Sequence, residues 1–188
     1  MILYIKNMVC NRCVLAVKQS VEALNLHIET ITLGEVQIKE NSIEKSTFST
    51  LVNNLNELGF ELIDDKKSRL IEQIKNCIIQ QIHHQKNIDM KINWSSFLAN
   101  QLNYEYNYLS TLFSSVEAIT IEHYIIKQKV EKVKELIVYD ELNMSEIADK
   151  LAYSSVAHLS SQFKKITGQS PSEFKKSLNK VRKTIDKI

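Results

Sequence analysis

"SEIADKLAYSSVAHLSSQFKKITGQSPSEFKK" occupies residues 145–176. Asn143 precedes it, with Glu146 three residues on, so a capping box opens a helix carrying Ile147, Ala148 and Leu151. Tyr153-Ser154-Ser155 reads as a turn, and Val156–Ile166 reads as a second helix stopped at Gly168. Ser170-Pro171-Ser172-Glu173 then offers another capping box, with proline at the first helical position. A short helix, a tight turn, a second helix and a further helix therefore follow one another within about thirty residues, the pattern of a helix-turn-helix.

Upstream, "SSFLANQLNYEYNYLSTLF" (95–113) repeats "SEIADKLAYSSVAHLSSQF" (145–163) in length and apolar spacing. With one residue of slip before the turn, Ala99, Leu102, Tyr104, Leu109, Ser110 and Phe113 fall on Ala148, Leu151, Tyr153, Leu159, Ser160 and Phe163. Asn93 is an N-cap candidate for the first helix of this copy, which uses Phe97, Leu98 and Leu102. The second carries Tyr108, Leu109, Leu112 and Phe113 inward. A long helix over Ile121–Tyr139 joins the copies, with Tyr124, Ile125, Val133, Leu136 and Ile137 inward. Before the repeat, Leu70, Ile71, Ile74, Ile78 and Ile82 mark one more helix, and Gln85–Lys91 reads as a polar loop.

In such a repeat the second helix of each motif presents its N-terminal face to a DNA major groove. Burial of Leu109, Leu112 and Phe113 exposes Asn107, Ser110, Thr111 and Ser114; burial of Leu159 and Phe163 exposes Ala157, Ser160, Ser161 and Lys164. The expected base-facing set is Asn107, Ser110, Thr111, Val156, Ala157, Ser160 and Ser161. Lys164, Lys165, Lys175 and Lys176 are the expected phosphate contacts. Neither helix offers Arg to bases, so discrimination leans on Asn107, apolar contact of Val156 or Ala157 with thymine methyls, and DNA shape. A helical protein-interaction module is the other reading of the repeat.

The run Phe163-Lys164-Lys165-x-x-Gly168-x-x-Pro171-x-x-Phe174 resembles the signature of the AraC/XylS family of bacterial transcription regulators. The resemblance covers about residues 66–176 and implies a seven-helix unit with two helix-turn-helix motifs. Ala152 stands where that family mostly has Gly, and Leu159 where it often has Phe.

The other end has different grammar. Met1–Ile5 reads as a strand, and Val14, Val17, Val21 and Leu24 as a helical stripe. Leu26–Leu33 reads as a strand whose alternation slips between Ile28 and Ile31, a bulge signal. Gly34 turns the chain into Val36 and Ile38. Phe48, Leu51, Val52, Leu55 and Leu58 form a second stripe, ended by Gly59, and Glu61–Ile63 is a last strand. The order βαββαβ is a ferredoxin-like pattern.

In its first βα loop lies Met8-Val9-Cys10-Asn11-Arg12-Cys13. Two sulfurs three positions apart converge on one ion when a loop opens into a helix. The helix start favours thiolate. Two thiolates alone suit Cu(I), whereas Zn(II) asks for four ligands. A redox dithiol, or a domain kept for packing or dimerisation, are the alternatives. With Gly59-Phe60-Glu61-Leu62 after the second helix, residues 1–64 resemble the heavy-metal-associated domain of copper chaperones and copper ATPases. The resemblance implies Cys10 and Cys13 as ligands of Cu(I) or another soft or borderline ion, with Met8 and Phe60 supporting the loop. Asn7 stands where that family usually has Gly. His83-His84 is expected to face solvent, and Cys77, among Ile74, Ile78 and Ile82, to be a plain buried thiol.

Composition fits two unlike modules. The 188 residues are 44% hydrophobic with only 3 Gly and 1 Pro, favouring long helices. Residues 1–65 carry 5 Lys/Arg against 9 Asp/Glu (net −4), and residues 66–188 carry 19 against 13 (net +6). That asymmetry suits a basic module for a polyanion joined to one that does not meet it. The expected organisation is a two-domain α+β chain. It has a ferredoxin-like βαββαβ domain at 1–64, an all-α seven-helix domain with two helix-turn-helix motifs at 65–178, and a basic tail at 179–188. No apolar run nears the ~18–20 residues of a membrane span, and no signal peptide is read, so the expected compartment is cytoplasmic. There Cys10, Cys13 and Cys77 stay reduced. The expected partner is a double-stranded DNA operator, with RNA polymerase and a second copy of the chain as further candidates and no membrane. No phosphate loop, open metal triad or nucleophile–base pair points to an enzyme.

Overall fold

The computed structural model describes residues 1–63, 66–84 and 93–181. The expected loop at Gln85–Lys91 and most of the basic tail lie outside them. The chain divides into two compact units, Met1–Ile79 and Gln80–Ile188.

The first unit runs β1 (Ile2–Lys6), α1 (Asn11–Glu22), β2 (Ile28–Thr32), β3 (Glu35–Ile38), α2 (Lys45–Glu57), β4 (Glu61–Ile63) and α3 (Lys66–Ile79). Its strands form one sheet in the order β2-β3-β1-β4, and every neighbouring pair is antiparallel. Leu3 faces Val36 and Ile5 faces Leu62, so one side of β1 lies over the core. The register shifts between Ile28 and Thr30, where the alternation of the sequence slips. Leu3, Ile5, Val17, Val21, Val36, Ile38, Leu51 and Leu55 are buried together, each such aliphatic side chain contributing roughly 1.5–3 kcal/mol.

The stripe on α2 is narrower than its spacing suggests. Leu51 and Leu55 are buried, but Phe48 and Leu58 are exposed. Phe48 instead borders a cleft of about 360 Å³ shared with Ile2, Tyr4, Val52 and Ile63, and Leu58 lies past the last turn as the C-cap. Gly34 turns the β2–β3 hairpin at φ 85°.

Helix α3 belongs to this unit by its contacts. The Arg69 guanidinium lies 4.5 Å above the Tyr4 ring. Gln73 Nε2 donates to Glu35 Oε1 at 2.7 Å, and Asn76 Nδ2 donates to the Leu33 carbonyl at 3.1 Å. The helical stripe read through Ile82 is continuous, but its last turn, Gln80–His84, is π-helical.

The second unit contains α4 (Trp94–Leu102), α5 (Tyr106–Glu117), α6 (Ile121–Tyr139), α7 (Met144–Lys150), α8 (Val156–Thr167) and α9 (Pro171–Val181). Local chemistry sets most of these ends. Asn93 accepts from the Ser95 and Ser96 N–H groups, and Asn103 closes α4 at φ 55°. Asn143 and Glu146 form the full capping box of α7. Ser170 N–H donates to Glu173 Oε2 at 2.6 Å while Glu173 N–H returns to Ser170 Oγ at 3.3 Å. Gly168 stops α8 at φ 82°.

One helix serves both motifs. Val130, Val133 and Ile137 of α6 pack with Ile147, Leu151, Leu159 and Phe163, while Ile121 and Ile125 at its other end are buried, and Tyr124 meets Phe113 of α5 at 5.5 Å. No described helix is long and apolar enough to cross a membrane.

Candidate nucleic-acid interface and thiol loop

Each helix pair, α4–α5 and α7–α8, holds its second helix by the inner side and leaves the N-terminal outer side open. In α5 the anchors Leu109, Leu112 and Phe113 are buried; in α8 they are Leu159 and Phe163. Asn107, Thr111, Val156, Ala157 and Ser161 are exposed, as expected for groove-facing positions. Ser110, Ser114 and Ser160 are only half-buried, because each lies one residue beyond or after a core anchor and leans toward it.

A tyrosine hydroxyl fixes the start of α5. Tyr106 donates to the Glu122 carboxylate of α6. Partial burial and the carboxylate push the Tyr106 phenol up, and the bond holds Glu122 below the usual carboxylate range. Ser155 fixes the start of α8 by accepting from the His158 N–H at 3.1 Å. Between α7 and α8, Ala152 takes φ 41°, in the left-handed region where glycine is at ease.

Two ring side chains here were not legible as surface groups. Tyr108, expected inward, is 48% exposed and stacks on Tyr104, ring centroids 5.6 Å apart. His158 is exposed; its ring meets Tyr153 edge-on at 5.4 Å, and its Nδ1 lies 3.0 Å from Ser154 Oγ. The apolar count favoured Tyr108 as a core residue, but Leu109, Leu112 and Phe113 already fill that side of the helix.

Among the four expected phosphate ligands, Lys164, Lys165 and Lys176 are exposed. Lys175 differs, since its ammonium pairs with the Asp140 carboxylate at the end of α6. Lys164 and Lys176 lie near Glu173, whose carboxyl is held low chiefly by the Ser170 N–H and hydroxyl, with the two lysines adding.

The thiol loop is built at the other end of the chain. Cys10 is the N-cap of α1 and Cys13 its third residue, so both sulfurs meet over the helix start, 3.6 Å apart and half-buried. Cys10 closes no full cap hydrogen bond. The Cys13 backbone N–H nevertheless lies close enough to hold the Cys10 thiol below its ordinary value, helped by the Cys13 sulfur and Arg12. Met8 is fully buried and Phe60 nearly so, both in the core cluster against which Cys13 packs.

Asn7 replaces the expected glycine without loss of the turn. It takes φ 72° and donates from Nδ2 to the Gly59 carbonyl at 2.9 Å, tying the loop to the turn that carries Phe60. Among the described residues no cluster of three or more His, Cys, Asp or Glu could hold a metal. Cys77 is half-buried, its thiol pushed up by burial with Glu35 adding. His83, expected to face solvent, is mostly buried against α6 and 2.9 Å from Gln128 Oε1, whereas His84 is exposed.

Residues 98–177 match a family described as a helix-turn-helix domain. The chain is 27% identical over 158 residues to the uncharacterized HTH-type transcriptional regulator YtdP of Bacillus subtilis (strain 168), covering 80% of this chain and 20% of that protein. It is 27% identical over 108 residues to the Msm operon regulatory protein of Streptococcus mutans serotype c, covering 57% of this chain and 36% of that one. The chain thus spans about a fifth to a third of the length of these curated relatives. Among solved structures, the C-terminal domain of AraT, a response regulator from Geobacillus stearothermophilus, superposes with a TM-score of 0.50 at 27% identity. That match covers 60% of this chain and 88% of that domain.

Proposed function

We propose that this chain, with a helix-turn-helix domain over residues 98–177, is a sequence-specific DNA-binding transcriptional regulator of the AraC type whose sheet unit senses a soft metal ion. The observation that carries the first part is the duplication: two helix pairs with open second helices share the 19-residue helix α6. At 1.5 Å per residue that helix is about 28 Å long, of the order of the ~34 Å between successive major-groove faces on one side of a duplex. Asn107, Ser110 and Thr111 from α5, and Val156, Ala157, Ser160 and Ser161 from α8, then line the two base-facing surfaces. Lys164, Lys165 and Lys176 supply phosphate contacts. Lys175 joins them only by leaving Asp140.

The sensing part rests on the thiol pair. Two sulfurs each ~2.3 Å from one ion at a tetrahedral angle stand about 3.8 Å apart, and Cys10 and Cys13 already stand at 3.6 Å. The donor set, two soft thiolates, is what fits a soft ion such as Cu(I), which accepts low coordination; the separation says only that both sulfurs can reach one ion. Cys10 and Cys13 would hold it, and a bound ion supplies a cross-link between the loop and the first turn of α1. Met8 and Phe60 support the loop from the core side, and Asn7 fixes its approach. The strand order β2-β3-β1-β4 with two helices supports a ferredoxin-like reading of this unit. The same sulfur separation also supports a second reading, a dithiol that closes to a disulfide under an oxidant.

Binding-site mapping in cells, with and without copper challenge, tests both parts against a Cys10→Ser/Cys13→Ser variant. Discrete genomic sites whose occupancy responds to copper in the wild type alone are expected. No discrete sites would overturn the regulator. Sites indifferent to copper but responsive to peroxide would replace metal sensing by thiol redox sensing.

A further inference from the structure

The two motifs share a feature that the pattern of buried residues does not require. Aligning Leu109 with Leu159 places Tyr108 on His158, and the turn residues Tyr104 and Tyr153 also correspond. In both copies the turn tyrosine holds the aromatic at the third position of the second helix: Tyr104 stacks on Tyr108 at 5.6 Å, and Tyr153 meets His158 edge-on at 5.4 Å. Each held ring sits on the exposed side of its helix start. The residues differ and the ring geometries differ, stacked in one and perpendicular in the other, yet the arrangement recurs.

We propose that Tyr108 and His158 are the principal base-reading side chains of the two motifs, an inference that rests on the DNA-binding reading above. N-terminal residues of a recognition helix reach base edges, and the third position lies within that first turn. A ring fixed by a neighbour before binding gives up less freedom on contact than a free side chain. Tyr108 brings an apolar face for a thymine methyl and a hydroxyl that both donates and accepts. His158 has its Nδ1 engaged by the Ser154 hydroxyl. With that hydroxyl donating, Nε2 carries the hydrogen and is left as a donor, matched by the N7 or O6 acceptors of a purine edge. The small groups around them, Ala157 and Ser161, then act as clearance rather than as readers.

The test is selection of duplexes from a randomised double-stranded DNA library by the full chain, compared with Tyr108→Ala and His158→Ala. The wild type is expected to enrich two half-sites about 10–10.5 base pairs apart. Tyr108→Ala should relax base preference at one or two positions of one half-site, and His158→Ala at a purine in the other. Discrimination at those positions should fall about 5- to 150-fold, with affinity for a duplex lacking the motif unchanged. Should an alanine variant not fold, His158→Asn carries the same readout, and Tyr108→Phe reads the loss of the hydroxyl's base preference while the thymine-methyl contact stays. If the wild type enriches a motif and the variants enrich it unaltered, or lose affinity equally for every duplex, the proposal is overturned while the regulator reading stands. If the wild type enriches nothing, the regulator reading fails and takes this one with it.

Discussion

Replacing Tyr153 by Phe should stabilise the helical unit. Tyr153 is 6% exposed, and its hydroxyl oxygen has no hydrogen-bond partner among the described residues. A buried hydroxyl left unpaired costs about 1–3 kcal/mol. Phe removes that oxygen and keeps the ring, and with it the packing on Leu151, Leu159 and Phe163, the edge contact with His158 and the Lys129 ammonium 5.4 Å from the ring centre. The gain should therefore approach the unpaired-group cost, a sizeable fraction of the ~5–15 kcal/mol of a typical domain. Urea unfolding followed by circular dichroism should show a higher midpoint at unchanged slope. The melting temperature should rise by roughly 4–8 °C per kcal/mol for a unit of this size. Alkali gives a second reading. Burial pushes the Tyr153 phenol up to about 12, so the folded chain keeps a proton that the unfolded chain releases above 10. Its contribution is full below pH 10 and fades as pH climbs toward 12, and the variant should lack that share of the alkaline decline. A variant equal to or weaker than the wild type at matched slope would refute the reasoning, because the oxygen would then have a partner.

Three further outcomes follow from features already described. Gly34→Ala adds left-handed strain of about 1–2 kcal/mol, and its Cβ would fall 2.3 Å from Asn76 Nδ2, breaking the Asn76–Leu33 bond at a further ~0.5–1.5 kcal/mol. Gly168→Ala, at φ 82° with open space around it, should bear only the first term; equal losses in urea unfolding would mean that Asn76 yields freely. Burial holds the His83 imidazole below 6.5, so its neutral form supports the fold above that pH and the support is lost as pH falls beneath it. His83→Gln should flatten the acid limb of stability measured by thermal melts across that range, and an unchanged limb would count against the burial. Iodoacetamide labelling with site-resolved mass spectrometry should modify Cys10 well before Cys77, since one thiol is lowered by its loop and the other raised by burial; equal rates would contradict both environments.

Much of this molecule is legible in one dimension because its signals are local. Asn93, Asn143 and Ser170 mark helix starts by hydrogen bonds that span two or three residues, Pro171 marks one by its fixed φ, and the structure uses each as read. The βαββαβ order came from periodicity punctuated by Gly34 and Gly59, and the slip near Ile28 from broken alternation. What escaped depends on neighbours distant in sequence. Phe48 and Tyr108 have core chemistry, but other residues had filled the core. Lys175 reads as a phosphate ligand until Asp140, thirty-five positions away, takes its charge. His83 reads as solvated until α6 covers it. Asn7 looked like the wrong residue for its turn, and only the Gly59 carbonyl across the loop explains why asparagine serves. In the other direction, the glycine that the resemblance led one to expect at position 152 finds its physical reason in the positive φ that Ala152 holds under strain.

Because α6 carries part of the core of both helix pairs, it works like a keyed shaft. The pairs share no independent hinge along it, so the angle between α5 and α8 is set by the count of residues separating their seats. One inserted residue would turn one seat against the other by 100° and advance it about 1.5 Å. Such a change would leave each core intact on its own while throwing the two open faces out of phase. The phase between the motifs is therefore written as an integer in the sequence of residues 121–139, and drift in that number would be felt before drift in any single side chain.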